Sequence, residues 1–222
     1  MTKEHPFGDW LKKQLNLEID GYTEANRVVE NDGTVSHQVV RRRTGDPRRR
    51  NLRIVCKSCN QGWMRDILND AKPLVEILMN GAPTSLNFWE QTKIKTWFAL
   101  SAMTGDFVGD GSGAIPQEDR DYIRLNGRPR KIWRTWLGRF KRSQSKLYFR
   151  ASRLNVSREG EPEIRSPEAH GAIIPNTQTF TMAVGELYIT MLRSEFRPLI
   201  RGWTYKRSDA LIEIGVRGRG AL

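Results

Sequence analysis

Apolar residues recur with the spacing of an α-helix in three places, and each stripe predicts a helix with one buried face. Asp9 can cap the first and shortest of these helices, whose apolar residues are Phe7, Trp10, Leu11 and Leu15. The second stripe consists of Trp63, Met64, Ile67, Leu68, Ala71, Leu74, Val75 and Leu78. Pro73 lies within it, so we expect two helices there, with Asn69 or Asp70 starting the second. The third stripe predicts a strong helix that buries Leu86, Trp89, Ile94, Trp97, Phe98 and Met103.

Alternating and β-branched segments predict strands in most of the remaining chain. Between residues 20 and 50, short strands are expected on either side of turn sequences at residues 31–33 and 44–47. A short helix is predicted from Pro116, and after it come the candidate strands KIWRTWLGRF, SKLYFRASRLNV, TQTFTMAVGELYITML and ALIEIGV. In the third of these the apolar phase shifts after Gly185, which predicts a β-bulge at Gly185-Glu186.

The stop signal Asn80-Gly81-Ala82-Pro83 divides this pattern into two parts. We therefore predict an α+β protein with a small N-terminal module over residues 1–80. Residues 84–222 are predicted to form an α+β domain that combines helices with an antiparallel sheet.

The composition is that of a folded and strongly basic protein. The chain has 222 residues, of which 38% are hydrophobic, so it can bury a core. The formal net charge of +12 favours an anionic partner, with nucleic acid first, although a solvated basic surface is the alternative. No apolar run approaches the roughly 18 residues of a membrane helix, and no apolar signal segment opens the chain. We therefore expect a cytoplasmic protein with no membrane partner.

The two cysteines, Cys56 and Cys59, form a CxxC motif followed directly by Asn60. In a cytoplasmic protein this spacing indicates either metal binding or redox chemistry. A redox motif normally opens a helix in a thioredoxin-like unit, and nothing else around these residues has that pattern. Metal binding is therefore favoured over redox chemistry and over two buried thiols.

Two N-terminal segments, TKEHPFGDWL and VCKSCNQGWM, resemble motifs of the HNH nuclease superfamily. They are similar to a bacterial and phage group with a T-x-E-H…W-L element and a CxxCN-x-GWM element. The segments IKTWFALSAM, WRTWLGRF and TFTMAVGEL are also similar to the C-terminal region of that group. The resemblance implies a ββα-metal module with a zinc knuckle at residues 1–80. It also implies a metal-dependent endonuclease that hydrolyses phosphodiester bonds in DNA in a phage or mobile-element context.

The resemblance also implies a role for each residue of the two motifs. His5 would be the general base and Asn51 the residue that orients it. Glu4 and Asn60 would bind a divalent Mg²⁺ or Mn²⁺ ion, and the zinc ligands would be Cys56 and Cys59. A neutral imidazole can take a proton from water near pH 7, and oxygen donors suit a hard cation, so these residue types fit phosphodiester hydrolysis.

The chain departs from the pattern of the superfamily in two respects. The family's first CxxC, some ten residues before the histidine, has no counterpart between Met1 and His5, and Pro6 follows His5 directly. We therefore expect an incomplete zinc site with weak, sub-stoichiometric binding, a looser region before Asn80, low nuclease activity, and a CxxC pair encoded upstream of Met1. One alternative is a non-catalytic nucleic-acid-binding protein on a degenerate HNH scaffold. A weaker one is a basic protein without a nucleic-acid role.

Two basic tracts are candidates for binding the phosphates of nucleic acid. The first, RRRTGDPRRR, contains Arg41, Arg42, Arg43, Arg48, Arg49 and Arg50, and a solvated loop is its equally weighted alternative. The second runs from Arg128 to Arg153 without an acidic residue, and its candidates are Arg139, Lys141 and Arg142. Aromatic residues interleave with these cations and could stack on bases. Alternation in a strand also places aromatic residues inward, so core packing is favoured for the tryptophans.

Overall fold

The structure is a computed structural model of the 222-residue chain. It describes residues 2–4, 10–11, 21–29, 34–45, 52–108, 113–140, 148–156, 158, 175–203 and 211–215. Helices and a five-stranded antiparallel sheet make up most of these residues, which confirms the predicted α+β class.

The N-terminal part contains two separate antiparallel ladders of two strands each. Strand β1 (Thr2–Glu4) pairs with β4 (Leu52–Val55). Strand β2 (Gly21–Val29) pairs with β3 (Val35–Thr44), which confirms the strands predicted between residues 20 and 50. Trp10 and Leu11 are helical and buried, as the first apolar stripe predicts. The rest of that predicted helix lies outside the described residues.

A short helix and a long helix follow β4 and meet at Gly62. They are α1 (Lys57–Gln61) and α2 (Trp63–Met79). The predicted division at Pro73 is wrong, because α2 continues through this residue as one helix. An interior proline costs about 3 kcal/mol. Burial of one whole face of α2 outweighs that cost, and the buried residues of this face are Met64, Ala71, Val75 and Met79.

The third helix, α3 (Phe88–Gly105), begins at a complete capping box. The Asn87 side chain accepts hydrogen bonds from the backbone N–H groups of Trp89 and Glu90, and the Glu90 carboxylate accepts one from the Asn87 N–H. Ile94 and the other predicted core residues are buried, but Trp89 is 70% exposed, so that prediction is wrong. Trp89 lies about 140° around the helix from Ile94 and therefore faces away from the core.

Helix α4 (Gln117–Asn126) begins directly after Pro116, as predicted, and ends at Gly127. Gly127 has a φ of +61°, the left-handed conformation that commonly terminates helices. A further short helix, α5, spans Arg197–Gly202. In the part of the chain that the structure describes, none of the helices combines the length and apolar character that a membrane crossing requires.

The strands of the large sheet are β5 (Trp133–Arg139), β6 (Tyr148–Leu154), β7 (Thr177–Val184), β8 (Leu187–Ser194) and β9 (Leu211–Ile214). Their order in the sheet is β6-β7-β8-β5-β9, and every neighbouring pair is antiparallel. The four segments predicted as strands therefore do contain strands. Trp133 and Trp136 are buried, which confirms the core reading of these tryptophans.

The predicted bulge at Gly185 is wrong, because this segment is a hairpin with a two-residue turn. Gly185 has a φ of +57°, and Val184 and Leu187 are direct cross-strand partners. Cross-strand partners point to the same face of a sheet. Val184 and Leu187 therefore lie on one face although they are three positions apart in the sequence. A β-bulge and a two-residue hairpin turn produce the same shift in the alternation of apolar residues, so the sequence pattern does not distinguish them.

One hydrophobic cluster joins α2, α3 and the sheet. Ala71, Val75 and Met79 of α2 belong to it together with Phe98 of α3 and Phe180 of β7. The two parts predicted on either side of residues 80–84 therefore share buried contacts. Their division into two domains stays a prediction.

Candidate functional site

The pairing of β1 with β4 brings together two segments that are far apart in the sequence. Glu4 lies opposite Leu52 in this antiparallel ladder, and Thr2 lies opposite Val55. His5 follows Glu4 in the chain and Asn51 precedes Leu52. The positions of His5 and Asn51 themselves are outside the described residues, as is the side chain of Glu4.

Helix α1 begins immediately after β4, with Cys56 as its N-terminal cap. The Cys56 Sγ accepts a hydrogen bond from the Cys59 backbone N–H at 3.3 Å and lies 3.2 Å from the Ser58 Oγ. The backbone N–H of Asn60 donates to the Cys56 carbonyl oxygen at 3.1 Å. The motif CKSCN therefore wraps the first turn of α1 at the end of the ladder that contains Glu4.

The Cys56 thiol is exposed, and its pKa is lowered from the usual value for a cysteine. Hydrogen bonds from the Cys59 side chain, the Ser58 side chain and the Cys59 backbone lower the pKa of Cys56 to about 7, from an ordinary value of 9.0. A thiolate is the form of cysteine that binds metals and acts as a nucleophile. Near neutral pH, Cys56 therefore has the thiolate that either metal binding or nucleophilic attack requires.

The donor atoms of this region suit two kinds of metal ion to different extents. Two thiols one helical turn apart are half of a tetrahedral zinc site, which needs four ligands. Among the residues that the structure describes, no cluster of three or more His, Cys, Asp and Glu side chains is found. His5 lies outside that set, so the expected incomplete zinc site stays a prediction. The amide oxygen of Asn60 and the carboxylate of Glu4 are donor types that suit Mg²⁺ or Mn²⁺.

The first basic tract begins in β3. Arg41 lies opposite Glu24 in the β2–β3 ladder, while the side chain of Arg42 is exposed and that of Arg43 is partly buried. The other candidates of this tract lie outside the described residues: Arg48, Arg49 and Arg50. A role in binding phosphates stays a prediction for all six arginines.

In the second basic tract, Arg139 at the end of β5 is already engaged by an acid. Its Nε donates to the Glu186 Oε2 at 2.6 Å, and both side chains are substantially exposed. Lys141 and Arg142 lie outside the described residues. A nucleic-acid phosphate would therefore compete with Glu186 for Arg139.

Sequence reasoning missed a buried ionic network at the junction of α4 and β8. The Asp119 carboxylate accepts hydrogen bonds from Arg193 Nε at 2.8 Å, Arg130 Nη1 at 3.1 Å and Trp133 Nε1 at 3.2 Å. The Asp119 and Arg193 side chains have no exposed surface. The sequence does show that each charge occupies a position expected to be buried. Asp119 lies one helical turn before the buried Ile123, and Arg193 continues the apolar alternation of β8.

Sequence reasoning also missed an open groove between α2, α3 and the end of α4. It has a volume of about 320 Å³, and its walls include Asp70, Trp89, Lys93, Asn126 and Arg128. No motif predicts this groove. Its walls come from α2, α3, the last residue of α4 and the turn that follows α4.

Similarity to known proteins adds no assignment to these residues. No family model matches the chain, and neither the curated proteins nor the solved structures include a match to it.

Proposed function

We propose that the protein is an HNH-like, metal-dependent endonuclease that hydrolyses phosphodiester bonds in DNA. The observation that carries this proposal is the antiparallel pairing of β1 with β4, followed directly by α1. A strand, a second strand and a helix in this order are what the HNH resemblance implies for the catalytic centre. The ladder joins the segment that ends in Glu4 to the segment that leads into Cys56.

In this proposal His5 removes a proton from the attacking water, and Asn51 holds the backbone that aims the imidazole. Glu4 and Asn60 contribute oxygen ligands to a single divalent cation. A bound Mg²⁺ or Mn²⁺ would stabilise negative charge on the phosphate and on the leaving oxygen. His5 immediately follows Glu4 in the chain, so base and ligand come from one short segment.

Cys56 and Cys59 have a structural role in this proposal. The lowered pKa of Cys56 keeps a large fraction of its thiol ionised near pH 7, the form that zinc requires. A zinc ion held by these residues would tie the end of β4 to α1. Two thiolates alone hold zinc weakly, and we expect less than one tightly bound ion per chain.

The net charge of +12 supports a nucleic-acid substrate. Arg42, whose side chain is exposed, belongs to a tract of six arginines on the segment that leads from β3 towards Asn51 and β4. Phosphate contacts from this tract would hold DNA beside the proposed centre. A phage or mobile-element context and a cytoplasmic location are part of the same proposal.

Nicking of a supercoiled plasmid in Mg²⁺ or Mn²⁺ tests the proposal. His5→Ala should lower the cleavage rate by roughly 100-fold or more while leaving DNA affinity nearly unchanged. His37→Ala is the matched control, because His37 lies in β3 and outside the two motifs. Equal cleavage by the wild type and His5→Ala would remove His5 from the mechanism.

The second candidate is a non-catalytic nucleic-acid-binding protein on a degenerate HNH scaffold. The net charge of +12 favours it as strongly as it favours a nuclease. DNA binding with a steep salt dependence, but without nicking in either metal, would support this candidate over the enzyme. A protein that does not bind DNA at low salt would contradict both.

A further inference from the structure

Trp89 is the most exposed aromatic residue in the described part of the chain, with 70% of its surface accessible. Most of the other described tryptophans are buried in the core, among them Trp97, Trp133 and Trp136. A large apolar side chain on the surface is informative when it borders a groove with polar groups. Trp89 does so, because it forms one wall of the groove between α2, α3 and α4.

Two neighbouring contacts hold the walls of this groove in place. Trp89 lies at the capped N-terminus of α3, and its ring packs edge-on against Phe88 at a centroid distance of 5.3 Å. The Thr96 hydroxyl donates to the Thr92 carbonyl oxygen at 2.8 Å and also lies 3.2 Å from the Gly127 carbonyl oxygen, so the turn after α4 contacts α3. Arg128 extends from that turn. The Trp89 ring is thus held by its contact with Phe88, and the turn that presents Arg128 lies against α3.

The groove combines an aromatic face with cations. Trp89 and Lys93 are spaced one turn apart on α3, and Lys93 and Arg128 are both exposed. Asp70 on α2 is an acid in the same lining, so Lys93, Arg128 and Asp70 together carry a formal charge of +1. An excess of one positive charge gives weak attraction for phosphate. Most of the affinity of this site must therefore come from the indole.

We propose that this groove binds an unpaired base of a single-stranded nucleic acid, stacked on Trp89, with Lys93 and Arg128 contacting the adjoining phosphates. A volume of about 320 Å³ is at the small end for a ligand site and suits one nucleotide unit. Stacking on an aromatic side chain needs a free base face, which a continuous duplex does not offer. An acidic peptide would engage the cations and leave the indole in water, so it fits the lining less well.

The test measures binding of the full chain to a labelled oligothymidine of about 20 nucleotides by fluorescence anisotropy in EDTA. Trp89→Ala should weaken single-strand binding by roughly 5- to 100-fold, as expected for one stacked base. Trp89→Phe should keep part of the affinity because it keeps an aromatic face. The matched control is Leu125→Ala, which removes another exposed apolar side chain on α4 and should change nothing.

A duplex of the same length distinguishes stacking from general charge attraction. Trp89→Ala should bind this duplex as the wild type does, whereas Lys93→Gln with Arg128→Gln should weaken binding to the single strand. If Trp89→Ala weakened binding to the duplex as much as binding to the single strand, the proposal would be overturned. It would also be overturned if Trp89→Ala weakened neither. A Trp89→Ala variant that bound an acidic peptide more weakly but bound the oligonucleotide as the wild type does would also overturn it.

Two further measurements keep this result interpretable. Far-UV circular dichroism identifies any variant that fails to fold, and in that event quenching of the wild-type tryptophan emission by the oligonucleotide replaces Trp89→Ala. That quenching should disappear in Trp89→Phe, and its persistence there would contradict the proposal. Because binding is measured without a divalent metal, failure of the nuclease proposal leaves this test unaffected.

Discussion

Glu186 donates its backbone N–H to the carbonyl oxygen of Met79 at 2.8 Å. This hydrogen bond joins the turn of the β7–β8 hairpin to the last residue of α2. The same carbonyl oxygen lies only 2.5 Å from the position that a Cβ atom on Gly185 would occupy. The chain segment that follows the cysteine motif is thus attached to the large sheet through a contact that has no room for a side chain.

Gly185→Ala should destabilise the fold by more than 1 kcal/mol relative to the matched variant Gly127→Ala. Both glycines have a positive φ, +57° and +61°, so both substitutions carry the conformational cost of about 1 kcal/mol. Only Gly185 adds a clash with a backbone atom, because a Cβ on Gly127 would meet nothing within 4 Å. Urea denaturation of the two variants measures the difference. Equal midpoints would show that the turn moves away from Met79 at no cost.

Asp119→Asn should lower the free energy of unfolding by about 3 kcal/mol, because it leaves the buried Arg193 guanidinium with the exposed Glu195 carboxylate but without its buried counter-charge. The Arg193 Nε lies 2.8 Å from the Asp119 carboxylate, and neither side chain is exposed. Asp121→Asn on the same helix is the control, since Asp121 is exposed. Thermal unfolding of both variants tests this, and similar melting temperatures would mean that the ionic network contributes little.

Cys56 should be alkylated by iodoacetamide with a rate that rises through a midpoint near pH 7. Its pKa is lowered to about 7 by hydrogen bonds from Cys59 and Ser58, so the thiolate dominates above that pH. Ser58→Ala removes one of these hydrogen bonds and should move the midpoint to higher pH. Trypsin cleaves after Lys57 and so places Cys56 and Cys59 on different peptides, and mass spectrometry then follows the alkylation of Cys56 in the wild type. A wild-type midpoint near 9 would contradict the prediction.

Glu186→Gln should steepen the salt dependence of DNA binding if Arg139 contacts phosphate. Glu186 holds the Arg139 guanidinium at 2.6 Å, and removal of its charge frees one cation for the nucleic acid. One additional phosphate contact changes the slope of log K against log salt by about 1. The double variant Arg139→Gln/Glu186→Gln should not show this change. An identical slope in the wild type and Glu186→Gln would exclude Arg139 as a phosphate contact.

Local patterns were sufficient to predict elements that have their own periodicity and end signals. Apolar spacing predicted helix α3, and Pro116 predicted the start of α4, whereas the Asn87 cap that begins α3 is seen only in the structure. The predictions failed at Pro73, Trp89 and Gly185. At each of these positions the outcome depends on the face that is buried or the strand that is paired, and neither is encoded within one turn of chain.

The candidate site was predictable to the same limited extent. The spacing of Cys56 and Cys59 favours metal binding, but only the structure shows that both residues lie at the first turn of α1. For Asp119 and Arg193, by contrast, the only sign of burial in the sequence is that each occupies an apolar position in the periodicity of its helix or strand. That position does not identify the oppositely charged partner, which lies 74 residues away.

The sequence by itself determined the α+β class, most helix and strand positions and the basic charge, because these follow from composition and short-range periodicity. Only the tertiary structure decided that Glu4 lies opposite Leu52, that α2 passes through Pro73 and that Trp89 remains exposed beside a groove. These outcomes depend on contacts between distant segments. The free energy that favours these arrangements comes from burial of a shared core and from backbone hydrogen bonds between distant segments. A short stretch of sequence does not specify those contacts.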